Sequence, residues 1–300
     1  MLKIAVVGNT NHHQYIKAIE ENPAFCLSGI FDPSFQFEIP KEFKNKPVFC
    51  SFSDMALHAD AFVFAGTENT YFPLIELALQ YSKPVFLHNT YYLNYEEHLH
   101  LVKLKDEAGV IIQIYHAFMF HDAYNEYIKV SKTPLLVDCL FTGMNEINLL
   151  PIVRQQVSGI LPMFSKNLKR VTANTISSFS EIPDIINLRM DFNNGSVVNI
   201  SVNSVEKEFQ HLIKAYEYNS NYRIDFQQNL VKCTHASQDF LTCTNSLNNT
   251  TEKLIAKQLE NFYQNIIKHT APLNSIENEC HTFRVMEKVK EKLRVCVNFL

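Results

Sequence analysis

The sequence predicts an α/β fold over residues 1–118 and an α+β fold, built on an open and mainly antiparallel sheet, over residues 119–300. Three observations carry this. An apolar run, Leu2-Lys3-Ile4-Ala5-Val6-Val7, stops at Gly8. Short continuous apolar runs then alternate with amphipathic stretches as far as Ile114, and beyond Pro134 strand-like segments follow one another without intervening helices.

In order along the chain, the strand ending at Gly8 is followed by an amphipathic stretch from Gln14 to Glu21. A second apolar strand, Phe25 to Phe31, then ends in Asp32. Strand, tight turn, helix, strand and acid in this spacing form a Rossmann unit. Only the first glycine of the usual turn is present. Thr10 and a position near His12 or His13 stand where the second and third would be, so the backbone is less open to a pyrophosphate. Pro47–Cys50, Ala61–Ala65, a helix over 71–81, Pro84–Leu87, a helix over 95–108 closed by Gly109, and Val110–Ile114 complete six expected strands. Continuous apolar strands between helices imply a parallel sheet covered on both faces.

In the second half, Leu135–Phe141 reads as a strand and Glu146–Ile160 as a helix. Strands follow at 171–179, 185–192 and 197–205, with shorter ones at 212–218, 222–226 and 230–234. Asn194-Gly195 supplies the positive φ angles that a two-residue hairpin turn demands. Asn187, Arg189 and Asp191 alternate with Leu188, Met190 and Phe192, one polar face and one apolar. Two helices, 251–269 and 276–297, close the chain, the last carrying an apolar stripe suited to packing back toward the first domain.

Composition bounds the function. A net charge of -4 with scattered Lys and Arg excludes a basic nucleic-acid footprint, and no apolar run is long enough for a membrane span. Seven cysteines without a CxxC pair, and no leader-like start, suit a cytoplasmic protein without disulfides. No metal site is expected: His98 and His100 lie on different faces of one helix, and no His, Cys and acid cluster has zinc spacing. Asp32 is either a ribose ligand or a turn acid before Pro33. Histidines 12, 13, 88, 116 and 121 fall near the expected cleft, and His88, at a strand's carboxyl end, is either a polar strand-end residue hydrogen-bonded to backbone or the first candidate for proton handling.

A Rossmann half followed by an open sheet resembles the Gfo/Idh/MocA family, the glucose-fructose oxidoreductase and inositol dehydrogenase group. Ile30-Phe31-Asp32-Pro33, Ala65-Gly66-Thr67-Glu68 with the helix and Lys83–Leu87 after it, and Met190–Ser196 are similar to the family's local motifs in order and spacing. The resemblance implies an NAD-dependent oxidoreductase of a sugar, cyclitol or polyol, with NADP less favoured because of Asp32. It places the cofactor on Gly8, Thr10, Asn11, Asp32, Gly66, Thr67 and His88, and substrate on His116, Asn145 and Asn148. A homo-oligomer paired through the C-terminal sheet is also expected.

The departures matter equally. Where the family has Glu-Lys-Pro, this chain has His88-Asn89-Thr90; where it has Asp-x-x-x-His, this chain has Phe141 to Asn145, and Asn148 replaces a further acid. Catalytic candidates are therefore His88, Asn89 and Asn145. The competing expectation is a non-catalytic binding or regulatory protein of the same fold.

Overall fold

A computed structural model describes residues 1–8, 12–33, 46–66, 69–143, 148–164, 168–177, 183–235, 238–243 and 250–297. The chain forms two compact units. One comprises Met1–Ala117 with Thr250–Cys280, and the other Phe118–Asn249 with His281–Leu300. The sequence reading assigns 119–300 as a block to the second domain, whereas 250–280 belongs to the first unit.

In the first unit, β1 (Leu2–Val7), β2 (Phe25–Phe31), β3 (Ala61–Phe64), β4 (Val85–Leu87) and β5 (Ile112–Ile114) form a parallel sheet in the order β2-β1-β3-β4-β5. Among the described residues this sheet has five strands rather than six, because the segment at 47–50 makes only a single bridge, Val48 to Ile30. Alternate residues serve opposite faces. Ala5, Val7, Phe62 and Phe64 join α2 (Phe52–Ala56), α3 (Phe72–Gln80) and α4 (Tyr95–Ala108) in one core. Ile4, Val6, Ala61, Val63 and Phe86 join α1 (His12–Glu20) in the other.

A nine-residue α1 is too short to cover that second face alone. The remainder is covered by α7 (Thr251–Lys268), whose Ile255, Leu259 and Phe262 are completely buried in the same core. Each such side chain contributes about 1.5–3 kcal/mol of burial. Thr250 caps α7 by accepting from the Lys253 N–H, and His269 ends it at φ +52°. Amides complete the attachment: Gln113 Nε2 donates to the Gln258 carbonyl, and Asn265 Nδ2 donates to Gln113 Oε1. On the opposite face α4 begins with a capping box, Asn94 and Glu97 bonding each other's backbone N–H, and ends at Gly109, φ +65°.

In the second unit, α5 (Asp122–Val130) and α6 (Leu150–Ile160) accompany an eight-stranded sheet in the order β13-β12-β11-β10-β6-β9-β8-β7. Its strands are β6 (Leu136–Thr142), β7 (Leu168–Ile176), β8 (Ile185–Phe192), β9 (Val197–Asn203), β10 (Gln210–Tyr216), β11 (Ser220–Asp225), β12 (Leu230–His235) and β13 (Gln238–Cys243). All pairings are antiparallel except β6 with β9. Val137, Cys139, Met190, Val198, Ile200 and Ile213 are buried on one face. The opposite face carries an open cavity of about 410 Å3 of mixed lining, with Asp138, Arg189, Asn199 and Lys214 beside Leu140 and Leu212.

The β8–β9 hairpin differs in detail from its expected form. Gly195 N–H donates to the Phe192 carbonyl and Gly195 alone takes a positive φ, +86°. Asn193 and Asn194 are therefore the central pair of the turn, and Gly195 is the left-handed residue after it. Helix α8 (Ile276–Val297) has its first turn in the first unit and the rest in the second.

Gly159 on α6 lies against the Phe118 ring, where an added Cβ would overlap it, and the Tyr124 hydroxyl donates to the Gly159 carbonyl at 2.8 Å. Gly159→Ala is expected to lower stability by about 1–3 kcal/mol through overpacking. Thermal denaturation measures it, and an unchanged midpoint would refute this account of the packing.

Candidate functional site

Every strand of the parallel sheet delivers one candidate residue at its carboxyl end: Asp32 after β2, Gly8 after β1, Gly66 two residues after β3, His88 after β4 and His116 two residues after β5. The strand order reverses between β1 and β3, and ligands of open α/β sheets bind in the crevice at such a switch point.

Gly8 takes φ +110° and donates its N–H to the Phe31 carbonyl at 2.9 Å, which puts Asp32 next to the turn. Asp32 is buried. A Cβ on Gly8 would lie 2.9 Å from Gly66 N and 3.0 Å from Tyr71 Oη, and one on Gly66 would overlap the Tyr71 ring. Both glycines are thus required by the close approach of two strand ends under one aromatic ring. Tyr71, fully buried, was not singled out from the sequence.

His88 is the best-defined side chain here. Its N–H extends the parallel ladder to the Phe64 carbonyl at 2.9 Å, and its Nδ1 lies 2.8 Å from the hydroxyl of Tyr15 on α1. The ring of Tyr115 stacks on the imidazole at 5.2 Å and 19°, while Tyr15 meets it edge-on. Burial pushes the imidazole down to about 4, so it is uncharged near neutral pH. Burial, with Tyr115 nearby, raises the Tyr15 phenol, and burial pushes Tyr115 up to about 12. Neither tyrosine was legible as a site residue. The available signal was a tyrosine within the apolar stripe of α1, and another directly beyond β5.

The remaining candidates are engaged locally. Asn89 Oδ1 accepts from the Tyr91 N–H at 3.3 Å, and the neighbouring buried Thr90 donates to Glu279 at 3.3 Å. His116 is buried, its backbone N–H donating to Gln258 Oε1 at 2.8 Å. In the second unit, exposed Asn148 accepts from the Leu150 N–H at the start of α6, and His121 caps α5. Thr10, Asn11, Thr67 and Asn145 lie outside the described residues, as does the expected start of the helix at Glu146. His98 is buried against the Asn94 carbonyl while His100 pairs with Glu76, and no cluster able to hold a metal occurs among the described residues. Nor is any helix among them long and apolar enough to cross a membrane.

No family model and no curated protein matches the sequence. Solved structures do match. The UDP-N-acetylglucosamine 3-dehydrogenase GnnA from Acidithiobacillus ferrooxidans superposes with a TM-score of 0.86 over 99% of each chain, at 17% identity. The chain has the fold of the Gfo/Idh/MocA-type dehydrogenases. An oxidoreductase from Agrobacterium radiobacter, solved with NAD+, L-tartaric acid and magnesium, shares this fold with a TM-score of 0.80 at 12% identity, over 98% of this chain and 96% of its own. A putative myo-inositol dehydrogenase from Sinorhizobium meliloti 1021 reaches 0.79 at 12% identity, over 98% of each chain.

The low His88 pKa has a consequence for stability. The unfolded imidazole takes up its proton near pH 6.5 and the folded one only near pH 4, so between these values the unfolded state binds more protons. Stability therefore falls as the pH drops through this window, and the group adds no further loss below pH 4. Denaturation of the native chain across pH 4–7 is expected to show a steeper slope than that of His88→Asn, by up to one proton per molecule. Equal slopes would show that the folded imidazole titrates normally.

Proposed function

We propose that the chain is an NAD-dependent oxidoreductase acting on a sugar, cyclitol or related polyol. The reading is carried by the carboxyl edge of the parallel sheet, where Gly8, Gly66 and buried Asp32 flank the switch point and the neutral imidazole of His88 follows on the next strand. The Agrobacterium neighbour with NAD+ and a hydroxy acid supports the ligand class. Gly8, Gly66 and Asp32 would hold the dinucleotide. A carboxylate beside the turn suits the two hydroxyls of an adenosine ribose and disfavours a 2'-phosphate, which favours NAD over NADP. The bound nicotinamide would supply hydride transfer. Of the chain's own groups, His88 and Asn89 stand where the resemblance puts the family's Glu-Lys-Pro, so hydrogen bonds replace its ammonium charge. His116 and Asn148 remain substrate candidates.

A second reading, a non-catalytic binding or regulatory protein, is favoured by Asn89, whose amide oxygen closes a local turn. Titration with NADH and NADPH followed by a polyol and keto-sugar panel separates the two. The oxidoreductase reading expects NADH to bind more tightly than NADPH, Asp32→Ala to weaken NADH about tenfold, roughly 1.4 kcal/mol, and turnover with at least one substrate. Binding without turnover supports the second reading, and no binding excludes both dinucleotide readings.

The open face of the eight-stranded sheet is proposed as the contact with a second copy. Half-buried Leu136, Leu140, Val197 and Leu212 surround Asp138 and Lys214, which are cross-strand neighbours on β6 and β10. A two-fold pairing can set the acid of each copy against the lysine of the other. Sedimentation is expected to give a dimer that Leu140→Glu dissociates, and a monomeric native chain refutes the pairing.

A further inference from the structure

We infer that His88 presents its Nε2–H as a fixed, uncharged hydrogen-bond donor to an oxygen of the bound substrate, and that Tyr15 is the positioning residue that holds the imidazole in that tautomer. The inference rests on the oxidoreductase reading and assigns His88 a role as donor, where loss of the family's lysine and histidine would suggest a substitute base.

The argument is one of partners. Tyr15 is fully buried, and the only hydrogen-bond partner its hydroxyl has among the described residues is His88 Nδ1, at 2.8 Å. Were Nδ1 to carry the imidazole proton and donate, the phenol proton would be buried without an acceptor, which costs as much as a lost buried hydrogen bond. The phenol therefore donates to Nδ1, and the ring proton sits on Nε2. Tyr115 covers a face of the imidazole and Tyr15 occupies its Nδ1 edge. His88 is only half-buried, and its Nε2 makes no hydrogen bond among the described residues. That edge is left for a ligand at the carboxyl end of β4. Among the described residues, the titratable groups in contact with the ring, Tyr15 from α1 and Tyr115 from beyond β5, are neutral phenols. A neutral imidazole held this way can polarise a carbonyl oxygen or stabilise a developing alkoxide.

The test is nitrogen-15 NMR of the imidazole in the full chain from pH 5 to 8, with the native protein and Tyr15→Phe, alongside turnover of His88→Ala and His88→Gln. The native chain is expected to hold the Nε2–H tautomer unchanged across this range, and Tyr15→Phe to give a tautomer mixture. His88→Ala should lose 10²–10³-fold in kcat with KM little changed, the size of effect seen on removing one oxyanion donor, while His88→Gln, which keeps an N–H, should recover a substantial part. A native Nδ1–H tautomer, a titration near pH 6.5, or unaltered kcat in His88→Ala overturns the inference. Failure of the chain to bind a dinucleotide overturns the oxidoreductase reading instead, and the NMR result still decides the role of Tyr15.

Discussion

The constraint on which the first unit depends is that its sheet is apolar on both faces. Ile4, Val6, Ala61 and Val63 point one way and Ala5, Val7, Phe62 and Phe64 the other, all at or near zero exposure. A sheet of this kind must be covered twice. Helices α2, α3 and α4 supply one cover from local sequence. The other requires α7, which comes from beyond the whole antiparallel sheet, and this requirement explains why the unit contains two separated stretches of chain.

The same constraint produces the candidate site. With both faces occupied, the carboxyl ends of the strands are where the parallel sheet leaves backbone and polar side chains for a ligand. His88 is held there by three elements: by the Phe64 carbonyl of β3 through its backbone, by Tyr15 of α1 through Nδ1, and by Tyr115 beyond β5 through its ring. These contacts give a neutral group a defined orientation. A flexible lysine would supply charge at the cost of that rigidity.

Much of the fold was legible because its signals are local. The apolar run into Gly8, the polar alternation of Asn187, Arg189 and Asp191, the stop at Gly109 and the extent of the last helix are read from neighbours in sequence. The misses have identifiable causes. The segment around Val48 has apolar strand composition but makes one bridge beside Ile30. In α5 the buried Ala123, Tyr124 and Tyr127 include two aromatics that suit strand or helix equally, so the helix was missed. Site contacts were less legible because they join distant positions: Tyr15 and His88 are 73 residues apart, and His116 and Gln258 are 142. No periodicity encodes such pairs.

The return of α7 to the first unit also orders events on the ribosome. When residue 117 has been made, the face carrying Ile4, Val6 and Val63 still lacks Ile255, Leu259 and Phe262. At roughly 5–20 residues per second, the intervening stretch takes about seven to thirty seconds to synthesise. Throughout that interval α1 alone covers that face of the nascent sheet, while the antiparallel sheet that follows it has all its strands before the first one closes.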